Sequence, residues 1–242
     1  MSSRDRPTPV PPRLTLAQWL HRLELGTPRE LTLGVSGHLL LSATEERNVV
    51  AQLRAAVLPR LFPREFAGAV CLLTGMAPGA DLLLVDAIGT WLSDAGIPFR
   101  RLALLPVPTE ILLRDWATSL RESGREVLPP EMRQRRQQIE NALRSCAAVV
   151  DLLPPHTGSA LLRSRRFRQA QYRRLAACLA QRADVLLAIL RGNRARRPGG
   201  TAELVHWRRH PREMPAEFST GGRRRPVPPR TIVIDPEFEY TV

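Results

Sequence analysis

The sequence predicts an α/β protein, a Rossmann-like three-layer fold built on a mostly parallel sheet. Two observations carry this. Short apolar runs alternate with segments of helical amphipathicity from residue 31 to residue 234, and strands buried on both faces read as continuous apolar runs of this kind. Three of the runs, at 31–35, 69–73 and 185–190, lead into glycine turns that open into helices. Strand, glycine turn and helix in that order describe a crossover unit, and a series of such units gives parallel strands covered on both sides.

The elements follow in order. Residues 1–13 are rich in proline and are expected to be disordered, and 14–25 form a short amphipathic helix with Trp19 on its apolar side. A strand at 31–35 precedes a helix at 44–61, in which Val49, Leu53 and Val57 recur at helical spacing. Then come a strand at 69–73, a helix at 79–95, a strand at 99–105, a helix at 110–121 containing Trp116, and a charged helix at 129–143. A strand at 147–153, a long helix at 159–182, a strand at 185–190, a helix at 201–210 and a short strand at 231–234 complete the chain. No internal repeat is present. The expected organisation is a flexible N-terminus with a short helix (1–28), the Rossmann-like domain (29–212), and a linker with an edge strand (213–242).

At 242 residues and 43% hydrophobic content, the chain can bury one sizeable core without disulfide or metal. Cys71, Cys146 and Cys178 form no C-x-x-C pair and each falls in an apolar pattern, as expected of reduced cysteines in a cytoplasmic protein. No apolar run approaches the ~20 residues of a membrane span, and residues 1–13 lack the apolar core of a secretory signal, so no membrane partner is expected. The net charge of +13 raises nucleic acid as a partner. All 36 basic residues are arginine, however, and spread along the whole chain, which a compositional habit of the source genome explains equally well. Residues 163–174 carry six arginines, but Phe167, Gln171, Leu175 and Cys178 share one stripe, so the arginines read as a solvated helix face. Only 5% of residues are aromatic, which leaves few platforms for stacking bases. Nucleic acid is therefore the less favoured partner.

The glycine turns carry the candidate chemistry. They are Gly34-Val-Ser-Gly-His38, Thr74-Gly-Met-Ala-Pro-Gly-Ala-Asp81 and the Pro198-Gly-Gly-Thr-Ala-Glu203 end of the loop that follows the strand at 185–190. Backbone N–H groups at a turn and helix start lack intrahelical partners, and with the helix dipole they favour an anion. In a parallel sheet all three turns fall on the carboxyl edge, where ligands of open α/β sheets bind. The candidate ligand-binding residues are Gly34, Ser36, Gly37, His38, Gly75, Met76, Gly79, Ala80, Asp81, Gly199, Gly200, Thr201 and Glu203. Asp81 can cap its helix or accept from a ribose hydroxyl. Neither G-x-G-x-x-G nor G-x-x-x-x-G-K-[ST] is present, which argues against an ordinary dinucleotide-dependent dehydrogenase or a Walker ATPase.

These motifs, together with Ala183-Asp-Val-Leu-Leu-Ala188, resemble the SLOG superfamily, which includes DprA/Smf proteins, lonely-guy type phosphoribohydrolases and nucleotide sensors of bacterial conflict systems. The resemblance spans residues 30–210. It implies a Rossmann-like domain that binds a nucleotide or nucleotide-derived ligand at its glycine turns, with no further cofactor. Two departures matter. The hydrolase branch carries Pro-Gly-Gly-x-Gly-Thr before a catalytic Glu, whereas here Thr201 follows Gly200 directly and Glu203 is the one catalytic candidate. The sensor branch carries Gly-His-Arg after its first strand, and here Leu39 stands in the place of that Arg.

The expected function is thus cytoplasmic binding or sensing of a nucleotide-type ligand, with a separate effector protein and self-association left open as partners. The alternative is an N-glycosidic-bond hydrolase or transferase acting on nucleotides, and a lesser alternative is a DNA-associated protein. Asp81, Asp115, Asp184 and Glu203 are the carboxylates that could converge at the sheet edge for such chemistry. His206 and His210 share a helix face, but no third ligand has zinc-site spacing, so no metal is expected. Ser36 lacks the G-x-S-x-G elbow of a serine hydrolase.

Overall fold

A seven-stranded sheet, parallel throughout, organises the chain in the order β1-β5-β4-β3-β2-β6-β7. The computed structural model describes residues 10–24, 30–37, 40–192, 198–219 and 229–238. The strands are β1 (Arg13–Thr15), β2 (Glu30–Ser36), β3 (Ala69–Thr74), β4 (Phe99–Leu105), β5 (Ala148–Asp151), β6 (Val185–Ile189) and β7 (Arg230–Ile234). The α-helices are α1 (Leu16–Glu24), α2 (Ala43–Gln52), α3 (Leu58–Leu61), α4 (Ala80–Asp94), α5 (Thr109–Glu122), α6 (Pro129–Arg144), α7 (Ser159–Arg163), α8 (Arg165–Arg182) and α9 (Thr201–Arg209).

Alternation along each strand divides the core into two layers. On one face Cys71, Leu73, Leu102, Leu104, Val150, Leu186 and Ala188 pack with α1, α8 and α9. On the other, Leu33, Val35, Val70, Leu72, Val185 and Leu187 pack with α2, α3 and α4, and Ala103, Leu105 and Val149 pack with α5 and α6. Residues two apart in a strand share a face. A central strand that is apolar at every position therefore serves both layers.

Four local features depart from the sequence reading. Arg13, placed in the disordered N-terminus, instead begins β1, and Leu14 and Thr15 belong to that strand rather than to the helix. β1 pairs with β5 and buries Leu14 alone, and Arg13 forms an ion pair with Asp151 on its neighbour. A strand so short, with one buried side chain, leaves too little periodicity to detect. The helix at 44–61 is interrupted by a π-helical turn, Leu53–Val57, in which the Leu58 N–H donates to the Leu53 carbonyl. The turn brings both Leu53 and Leu58, five residues apart, into the core and leaves Val57 only partly buried. The long helix at 159–182 is broken at Ser164, whose side chain accepts from the Phe167 N–H and caps α8; such a cap stabilises a helix by about 1 kcal/mol. Finally, the arginine run is a solvated face only in part. Arg163, Arg165 and Arg166 are exposed, whereas Arg168 binds Asp115, Arg173 binds Glu203 and Arg174 donates to the Leu152 carbonyl.

Cys71, Cys146 and Cys178 are all free and buried, and burial pushes the Cys71 and Cys178 thiols up to about 12. They pack as small hydrophobes. Among the described residues no helix is long and apolar enough to cross a membrane.

Candidate functional site

The strand order places a topological switch at the crevice between β2 and β6. From β2 the chain steps through β3 and β4 to β5, then returns to lay β6 on the other flank of β2. The helices after β2 and β6 lie on opposite faces of the sheet, which opens a crevice at the carboxyl ends of these two strands. The glycine turns after β2, β3 and β6 all emerge there, on three adjacent strands.

Two contacts bridge the flanks of the crevice. Ser36 Oγ, at the end of β2, lies 3.0 Å from Thr201 Oγ1, at the start of α9. Arg191, just beyond β6, donates at 2.5 Å to each oxygen of Glu45 on α2 and at 2.8 Å to the Leu40 carbonyl. Glu45 in turn accepts from the Ser42 N–H and completes the capping box of α2. Sequence reasoning missed Arg191 and Glu45. The signal available was the Ser42-x-x-Glu45 capping pattern; the arginine that shares the carboxylate is 146 residues away in the chain.

The second turn is locked from within by Asp81. Its carboxylate accepts from the Gly37 N–H at 3.1 Å and from the Ala77 N–H at 3.3 Å, and the Gly75 N–H also points to it. One side chain thereby binds the first turn to the second. Burial pushes the Asp81 carboxyl up to about 7, against the lowering pull of the Ala77, Gly37 and Gly75 N–H groups. Met76 adopts φ of 57° and is fully buried in the core with Ala80 beside it at 1% exposure. Both side chains face protein.

The third turn has a corresponding lock at its surface. Glu203 accepts from the Gly199 N–H at 2.6 Å and pairs with Arg173 at 3.0 Å. The Arg173 guanidinium lies over the rings of Trp207 and Phe218, at 5.2 and 5.0 Å from their centroids. This arginine was also missed, since it falls within the arginine run and its partners come from α9 and a later turn.

Packing explains several of the glycines. A Cβ on Gly34 would stand 2.7 Å from the Ala183 Cβ, one on Gly37 would stand 2.4 Å from the Ala80 Cβ, and one on Gly75 would stand 2.5 Å from Leu175. Gly199 has φ of +75°, and its Cβ would meet Tyr172 at 2.6 Å. Gly200 differs: it is the N-cap of α9 with φ of −88° and ψ of 168°, ordinary extended backbone. Among the described residues no side chain caps α9; the Glu203 N–H turns back to the Gly200 carbonyl at 3.1 Å, which leaves the Thr201 and Ala202 N–H groups at the helix start without a capping side chain. Gly79 caps α4 with φ of 113°, also without a side-chain cap. His38 lies outside the described residues.

The carboxylates do not converge. Asp184 sits at the start of β6, toward the amino edge, where it accepts from the Thr32 N–H at 2.8 Å. Asp115, on α5, accepts from Arg168 at 2.8 Å and from the Tyr172 hydroxyl at 3.2 Å. Asp81 and Glu203 do lie at the carboxyl edge, each committed to backbone N–H groups of its own turn. The His206 and His210 rings lie 4.8 Å apart, tilted by 38°, beside Glu213, and among the described residues no group of three or more His, Cys, Asp or Glu side chains has a metal-binding arrangement. No protein-family model matches the chain, and no curated protein matches it.

Proposed function

We propose that the chain binds a nucleotide or nucleotide-derived ligand at the carboxyl edge of its sheet and acts as a sensor, in keeping with its resemblance to the SLOG superfamily. One observation carries the reading. The turns after β2 and β6 meet at the switch crevice, joined by Ser36 and Thr201, where α9 opens with no side-chain cap among the described residues. A phosphate placed there would accept from the first N–H groups of α9 and gain from its dipole. The hydroxyls of Ser36 and Thr201 offer further polar contacts. Binding is favoured over N-glycosidic hydrolysis because Glu203 spends its oxygens on Arg173 and the Gly199 N–H. A carboxylate so engaged is poorly placed to attack or stabilise a sugar carbon. A ligand-dependent effector protein is the partner this reading calls for, in a cytoplasmic setting.

The test uses Gly200→Val. The extended backbone at Gly200 accepts a side chain without φ strain, so the variant should fold with an unchanged melting temperature while its branched side chain crowds the α9 N–H groups. Calorimetry with a panel of nucleotides and dinucleotides should show binding to the parent chain and a loss of about tenfold or more in the variant. Equal affinity in both proteins would place the ligand elsewhere.

A further inference from the structure

We propose that the groove between α2, α4 and α6 is a second binding site, for a small molecule carrying a diphosphate or longer phosphate chain, and that Arg54, Arg101 and Arg135 hold the phosphates. The groove runs from Gly79, at the start of α4, to Ser145, beyond the end of α6, and all three arginines line it. Of the glycine-turn residues it includes Gly79 alone and none from the turns after β2 and β6, and the inference does not rest on the function proposed there.

The seat of Arg101 is built into the fold. This residue lies within β4 and its side chain crosses beneath α4 at Gly89, where a Cβ would stand 2.4 Å from a terminal guanidinium nitrogen. Glycine inside a helix is unfavourable by about 1 kcal/mol relative to alanine, and here it makes room for a cation. The Arg101 Nε is buried with no hydrogen-bond partner among the described residues, which adds a desolvation penalty. The room left at Gly89 lets the side chain reach the groove, where it donates to Ser145 Oγ at 3.0 Å.

The other two arginines are positioned by different means. Arg54 lies in the π-helical turn, a backbone element rare in helices and frequent at functional sites. Arg135 lies over the Trp116 ring at 5.8 Å, and Arg101 lies over the Phe99 ring at the same distance. Guanidinium groups braced on aromatic faces lose less freedom when they bind. The two acids at the rim, Glu46 and Asp86, are outnumbered by three guanidiniums. Asp86 is 69% exposed and 3.5 Å from Arg101, so solvent screens much of its effect. Arginine forks match phosphate oxygens in geometry, and three of them along an elongated groove suit a phosphate chain better than a single phosphate.

Calorimetry at low ionic strength, with pyrophosphate and a nucleoside diphosphate as probes, tests this on the full chain, Arg54→Ala, Arg135→Ala and Gly200→Val. Arg54 is exposed and Arg135 half-buried, so their truncation leaves the fold intact, as circular dichroism would verify. Each arginine variant should bind pyrophosphate about tenfold more weakly than the parent chain does, whereas Gly200→Val should retain the part of pyrophosphate binding that depends on these arginines. A nucleoside diphosphate that binds this site more tightly than pyrophosphate identifies a nucleotide as its source, and equal affinity identifies a free phosphate chain. Absence of pyrophosphate binding to the parent chain would overturn the proposal, as would unchanged affinity in both arginine variants. Weakening in Gly200→Val alone would also overturn it, and would assign the phosphate to the carboxyl edge.

Discussion

The second and third glycine turns solve one problem in two environments. Each holds its loop with a carboxylate from the first turn of the following helix, Asp81 in α4 and Glu203 in α9. Asp81 is buried and has backbone N–H groups as its hydrogen-bond donors, whereas Glu203 is partly exposed and adds the Arg173 guanidinium. A carboxylate in the interior needs every oxygen satisfied and still gains a raised pKa; one at the surface tolerates a cation and solvent. The buried lock joins two turns, and the surface lock ties the third turn to α8.

The largest expected effect separates two adjacent glycines of the third turn. Gly199→Ala puts a Cβ into left-handed backbone and against Tyr172 at 2.6 Å, and strain and overpacking together should destabilise the chain by ~3 kcal/mol. Gly200→Ala, in extended backbone, should leave stability within ~0.5 kcal/mol. Urea denaturation of the two variants measures the difference. Equal losses would mean that the turn is not held against α8.

Asp81→Ala removes the acceptor of N–H groups in two turns and should destabilise by ~2 kcal/mol. Its pH dependence sharpens the contrast with Glu203. Burial favours the protonated Asp81 carboxyl in the folded chain, so its contribution is complete below the ordinary aspartate value of 3.8 and is lost as pH rises through about 7. Stability measured across that window should fall more in the parent chain than in Asp81→Asn. Parallel profiles would contradict the burial of this group.

The smallest effect belongs to the surface lock. Glu203→Gln keeps an acceptor for the Gly199 N–H and loses the charge on the Arg173 pair, whose side chains are 28% and 13% exposed. With solvent screening, a loss of ~1 kcal/mol is expected in thermal denaturation. A loss exceeding that of Asp81→Ala would reverse the assignment of which lock bears the fold.

The sequence by itself determined the layered α/β class and the position of six strands, because a strand buried on both faces must be apolar at nearly every position. It also placed three glycine turns after three strands, since a parallel sheet returns each crossover to the same edge. The tertiary structure alone decided what those turns contact. Gly37, Gly75 and Gly199 lack side chains because Ala80, Leu175 and Tyr172 press on them, and Asp81 points inward because two turns offer it N–H groups. The roles of Arg101, Arg173 and Arg191 were equally hidden. An arginine in a basic sequence has the same local signature whether it meets water or a distant carboxylate, and Arg191 and Glu45 become neighbours only when β6 is laid beside β2. Local pattern reports which side of an element is apolar; partners far apart in the chain are set by strand order.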